Sequence, residues 1–180
     1  MTHLEPSNRA PAAKPNGNLG QPDVQVADQQ SGHELDLERY RTLAASVLTS
    51  EGVPEGAALT VLFVSSQAMA DLNAKHMGHE GPTDVLAFPI DEHAVDQDFP
   101  APMPILLGDV VICPNVAAAN CLINKDSYPG HDGSITDEID LLVVHGILHV
   151  LGMDHADDED RNMMQASERT HLAAFGYEGR

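Results

Sequence analysis

Residues 145–155 read His145-Gly146-Ile147-Leu148-His149-Val150-Leu151-Gly152-Met153-Asp154-His155. Four residues is just over one helical turn, so His145 and His149 project from the same face of a helix. Gly152 suits a helix end, where the chain leaves through a left-handed turn. Such a turn swings His155 back toward the other two rings. Three imidazoles at one point can hold a metal ion and leave a fourth tetrahedral position open, which is the catalytic arrangement of zinc. The same donors also suit nickel, copper or iron, so spacing leaves the identity of the ion open.

The third histidine follows the first by ten residues, the spacing of the extended, metzincin-like zinc motif. One position departs from it. Zinc proteases of that type place a general-base glutamate directly after the first histidine. Here Gly146 stands there and cannot take a proton, which argues against a standard protease mechanism. The remaining histidines, His3, His33, His76, His79, His93, His131 and His171, are scattered, and none is assigned as a ligand.

Working outward, Ser134 or Thr136 caps a helix over about 135–151, and a last helix spans about 159–175. Upstream, helical spacing of apolar residues marks about 36–50. A second helix, capped by Ser65 or Ser66, reaches about residue 76, and a third covers about 115–124 behind Pro114. Runs of β-forming residues mark strands at 59–64, 83–90 and 105–113, with a short first strand at 23–27. Residues 78–82, 91–104 and 125–133 read as loops. The mixture implies an α+β domain with a mixed sheet of about four strands packed with about five helices.

Residues 1–21 are rich in Pro, Asn, Gly and Ala and bury too little to offset the entropy of ordering, so a disordered tail is expected, followed by one domain over 22–180. No apolar run approaches the roughly 20 residues of a membrane span, and no secretory signal opens the chain, so a cytoplasmic protein is expected. Cys113 and Cys121 lie far from the histidines and read as small core residues. The net charge is −19, from 9 basic and 28 acidic residues. Phosphate backbones are repelled by such a chain at long range, although a bound cation reverses the field locally.

His-Gly-x-x-His-x-x-Gly-x-Asp-His closely resembles the signature of the YbeY family of bacterial metal-dependent endoribonucleases. Other blocks follow in the family's order: Leu72-Asn73 with Gly81-Pro-Thr-Asp-Val-Leu-Ala-Phe-Pro89, then Leu107-Gly-Asp-Val-Val-Ile112, then Asp137-Glu138 leading into Leu141-Leu-Val-Val-His145. The resemblance spans about residues 23–176. It implies a single α+β domain with His145, His149 and His155 as ligands to one Zn2+. The implied activity is hydrolysis of single-stranded RNA, in maturation of the 16S ribosomal RNA 3′ end and in ribosome quality control. Many family members carry an arginine in the loop after Leu-Asn, where this chain has Met77. Phosphate recognition then falls to Lys75, His76 or backbone N–H groups.

The expected chemistry is metal-assisted phosphodiester hydrolysis, with the ion polarising a phosphoryl oxygen and lowering the pKa of water toward about 7. Because Gly146 is no base, Asp154 is the candidate for proton transfer, with orientation of a ligand imidazole as its other reading. Asp84 and Asp109 are further candidates, against turn and strand-end roles. The acidic run Asp157–Asp160 reads as solvated surface or as charge at a helix start. No basic stripe or aromatic platform of the usual RNA-binding kind is present. Specificity is therefore expected from the small ribosomal subunit, through a ribosomal protein or an assembly GTPase. Two alternatives stay open: a zinc hydrolase of another substrate such as a peptide, and a non-enzymatic assembly factor with structural zinc.

Overall fold

The computed structural model describes residues 20–90 and 105–177. Four strands form one sheet in the order β1-β2-β4-β3: β1 is Asp23–Gln29, β2 Ala58–Val64, β3 Val85–Pro89 and β4 Leu106–Ile112. β1 and β4 run parallel to β2, and β3 runs antiparallel along β4, so the sheet is mixed. Five α-helices accompany it: α1 Leu37–Ser50, α2 Ser66–Met77, α3 Pro114–Asn120, α4 Ile135–Val150 and α5 Asp158–Leu172, with a π turn at Ala173–Tyr177. The expected α+β domain with four strands and five helices is the one observed among the described residues. The expected tail and the 91–104 loop lie outside the described residues, apart from Gly20 and Gln21.

Alternation along β2 sorts its side chains to two faces, as strand geometry requires. Leu59, Val61 and Phe63 join the main core with α1, α4 and α5, while Leu62 and Val64 join a smaller cluster with Met69 and Leu72 of α2. β4 breaks this alternation. Its register against β2 shifts between Ala58 and Leu59, which pair with Leu106 and Gly108, so one extra residue is inserted. The bulge lets Leu107, Val110 and Ile112 all enter the main core. Gly108 makes it possible: its φ is +149°, and a Cβ there would overlap the Phe88 carbonyl oxygen.

Several boundaries differ from expectation: β3 starts at Val85, not 83, and α5 gives way at Leu172, not 175, to the π turn. β1 runs on to Gln29 because its pairing with β2 continues to Gln29↔Val64. α3 stops at Asn120, not near 124. There Asn124 turns its side chain to the buried Glu138 at 2.6 Å, a tertiary partner that local propensity does not reveal. Cys113 and Cys121 are buried and unpaired thiols, as expected of core residues.

α4 lies across the main-core face of the sheet, packed against β3 and β4 on one side and α1, α3 and α5 on others. From Asp137 to Val150 every residue is buried except Leu141, His145 and His149. Spaced four apart, these form the helix's one accessible stripe.

Candidate metal centre

α4 ends as a glycine-terminated helix should. Gly152 N–H donates to His149 O at 3.0 Å and Met153 N–H to Leu148 O at 2.9 Å, with Gly152 at φ +95°. This reversal carries His155 back beside the helix. The His149 and His155 ring centroids are 5.0 Å apart, His145 and His149 4.6 Å, and His145 and His155 6.1 Å. One ring nitrogen from each histidine can be chosen so that all three lie within 4.8 Å of one another. The three expected ligands therefore converge. His149 is driven below its ordinary pKa by burial and then by the neighbouring His145 and His155, which favours the neutral, metal-binding imidazole.

α5 completes the centre with a residue that the sequence did not disclose. Glu168 Oε1 lies 2.7 Å from His145 Nδ1, and its side chain is only 13% exposed. A carboxylate there selects the tautomer with hydrogen on Nδ1 and leaves Nε2 free to bind an ion. Glu168 stands 23 residues beyond His145, and only the packing of α5 on α4 joins them. A cavity of about 310 Å³ opens beside the rings, lined by His145, His155, Arg161, Met164, Gln165 and Glu168. The four α5 residues share one helix face by their spacing.

Asp154 bonds to the backbone of its own neighbour. Its Oδ1 accepts the His155 backbone N–H at 2.7 Å and lies 4.0 Å from His155 Nδ1, while the side chain stays 69% exposed. Lys75 and His76 fall in the last turn of α2, both exposed, and the His76 ring sits 5.0 Å from that of Phe88. Neither lines the cavity beside the ligands. Asp84 takes up its turn role: Oδ1 accepts Val85 N–H at 2.8 Å, and Oδ2 lies 3.4 Å from Asn120 Nδ2. Asp109 lies within β4, opposite Phe88. The acidic run caps α5, since Asp157 Oδ1 accepts the N–H groups of Glu159 and Asp160 at 3.0 and 2.9 Å.

Gly146 has a packing reason as well as a chemical consequence. It faces Val110 of β4 so closely that a Cβ would overlap Val110 Cγ1. A glutamate, which the protease motif needs there, does not fit between α4 and the sheet.

Fold and site together define an α+β domain in which three histidines could hold a metal ion, one of them held by a carboxylate, on one accessible face. The model of the family "Endoribonuclease YbeY" matches residues 25–176, and the chain belongs to that family. It is 41% identical over 157 residues to Endoribonuclease YbeY of Salinispora tropica, covering 84% of this chain and 95% of the relative. The YbeY of Thermobifida fusca is 43% identical over 152 residues, covering 84% and 93%. A solution structure from Thermotoga maritima is 21% identical, covers 87% of this chain and 96% of its own, and superposes with a TM-score of 0.49.

Proposed function

We propose that the protein is a zinc-dependent endoribonuclease that cleaves single-stranded RNA. In this reading it acts in ribosomal RNA processing, at the 3′ end of 16S RNA, and in ribosome quality control in the cytoplasm. The observation that carries the reading is the convergence of His145, His149 and His155 on the one accessible stripe of α4, in a chain of the YbeY family. No helix among the described residues is long and apolar enough to cross a membrane, which agrees with a partner in solution.

When bound, zinc supplies Lewis acidity toward a phosphoryl oxygen and brings the pKa of water toward about 7. The chain's own residues do the rest. His145, His149 and His155 would hold the ion, and Glu168 fixes the ring of His145. Proton transfer, which Gly146 cannot perform, is assigned to Asp154. Its carboxylate is exposed at the third ligand and anchored through Oδ1. Lys75 and His76 are the proposed contacts for the strand beyond the cavity. The net charge of −19 suits docking on a basic ribosomal protein or an assembly GTPase of the small subunit.

The test compares wild type with His145→Ala for bound zinc and for cleavage of a single-stranded 16S 3′-end precursor. Wild type should retain about one ion per chain and cut, and the variant should do neither. Equal cleavage by both, or wild type without stoichiometric metal, overturns the reading. Within it, Asp154→Asn keeps the hydrogen bond to His155 but not the base. Cleavage should fall by about 10²-fold with bound zinc unchanged. An unchanged rate removes Asp154 from proton transfer.

A further inference from the structure

The cavity beside the ligands needs something to hold an anionic substrate against an acidic surface. Of its six lining residues, two histidines are ligands, Glu168 is committed to His145, and Met164 is buried. Arg161 and Gln165, one turn apart on α5, are the polar groups left to face an incoming molecule. Arg161 is the sole basic residue of that lining. The other described cations are placed differently: Arg39 pairs with Asp140, Arg41 with Glu38, and Lys75, Lys125 and Arg169 stand outside the cavity lining.

We infer that Arg161 binds a phosphodiester of the RNA strand in the cavity next to the three histidines, with Gln165 beside it as a second donor. This rests on the endoribonuclease reading and names the residue that positions its substrate. A planar guanidinium matches two phosphate oxygens at once, which makes arginine suited to the task. The present partner of Arg161 does not compete strongly. Asp158 lies 2.9 Å away, but its side chain is 94% exposed and that of Arg161 is 54% exposed. A pair so open to water is easily exchanged for a phosphate. Two further acids nearby are engaged elsewhere, Asp157 with the first N–H groups of α5 and Asp154 with His155. The site is a phosphate cradle formed by α5, with the metal ligands of α4 and its C-terminal turn as the opposite wall.

The experiment uses the full-length chain as wild type, Arg161→Gln, Arg161→Lys and Arg169→Gln. Arg169→Gln removes the same charge from the same helix outside the cavity. Binding of a fluorescent single-stranded oligoribonucleotide to chelator-treated, metal-free protein is followed by anisotropy over a range of salt. Cleavage of the same strand is followed with the zinc-loaded protein. Arg161→Gln should weaken metal-free binding by about 3- to 10-fold and reduce the log–log salt slope by about 0.7, the value for one contact to a single strand. It should raise KM more than it lowers kcat. Arg161→Lys should restore most of the salt slope, and Arg169→Gln should bind like wild type. Melting temperatures should stay within about 3 °C of wild type, since the pair lost is exposed. If wild type binds and cleaves and Arg161→Gln matches it in affinity and slope, the inference fails and the endoribonuclease reading stands. Equal losses in Arg161→Gln and Arg169→Gln also overturn it, because bulk charge then explains both. If wild type neither binds nor cleaves, the endoribonuclease reading fails and the inference falls with it.

Discussion

The two ends of α4 both carry ionisable side chains, and the fold treats them in opposite ways. At the N-terminal end Asp137, Glu138 and Asp140 are no more than 1% exposed. Asp137 Oδ2 accepts from Asp132 N–H at 3.0 Å, and Glu138 lies 2.6 Å from Asn124 Nδ2 and 3.0 Å from His131 Nε2. Asp140 holds Arg39 at 2.5 Å. His131 is also tied down, because Gly133 N–H donates to its Nδ1 at 3.1 Å, which leaves Nε2–H for Glu138. No buried side-chain nitrogen or oxygen among the described residues lacks a partner. At the C-terminal end His145 and His149 are only partly buried and His155 is exposed, and their ring nitrogens point toward a shared space. One end spends its polar groups on the protein itself, and the other leaves them for a ligand. Buried charges left uncompensated are costly, so the first arrangement fastens the helix and the second can be opened to an ion.

This contrast can be broken by exchanging damage between the ends. The largest effects should come from His149→Ala and Glu138→Ala together. His149→Ala should abolish stoichiometric zinc and lower cleavage about 10³-fold or more, near 4 kcal/mol in activation terms, while metal-free stability changes by less than about 1 kcal/mol. Glu138→Ala should cost about 3–5 kcal/mol in urea unfolding, because it strands the buried His131 and the half-buried Asn124, yet leave zinc affinity of the folded protein unchanged. A loss of zinc affinity in Glu138→Ala comparable to that in His149→Ala would erase the distinction.

Glu168→Ala sharpens it, since Glu168 brings the buried, partnered style of the first end to one ligand of the second. Zinc affinity measured by competition with a chelating dye should fall by about 10- to 100-fold, with Glu168→Gln intermediate because it keeps an acceptor for His145. Unchanged affinity would mean that the ligands orient themselves. The smallest effect is expected from Gly146→Ala, between the two ends. Overpacking against Val110 should cost about 1–3 kcal/mol in thermal or urea unfolding. A neutral result would show that β4 yields there, and the packing argument against a glutamate at that position would lapse.

Much of this was legible in the chain because it is local. Helical spacing placed His145 and His149 on one face, and Gly152 announced the turn that returns His155, since both follow from backbone geometry over a few residues. The strands and helices showed in short-range apolar patterns, and the missing base at Gly146 could be read by inspection. Ordered blocks of residues gave the family. What the sequence left unread was relational. Leu107-Gly108-Asp109 looked like plain strand, and only pairing with β2 and the approach of the Phe88 carbonyl show a bulge. Glu138 belongs to the block that leads into the histidine helix, and only the structure shows it as a buried partner of His131. Glu168 and Arg161 carry no local mark in the last helix, and they reach the centre because α5 packs on α4. Residue spacing along one helix and the turn that ends it are set by local backbone geometry, so the sequence by itself determined that the three histidines meet. The angle and register at which two helices meet are set by the whole core, so only the tertiary structure decided which carboxylate holds the His145 ring and which cation lines the cavity beside it.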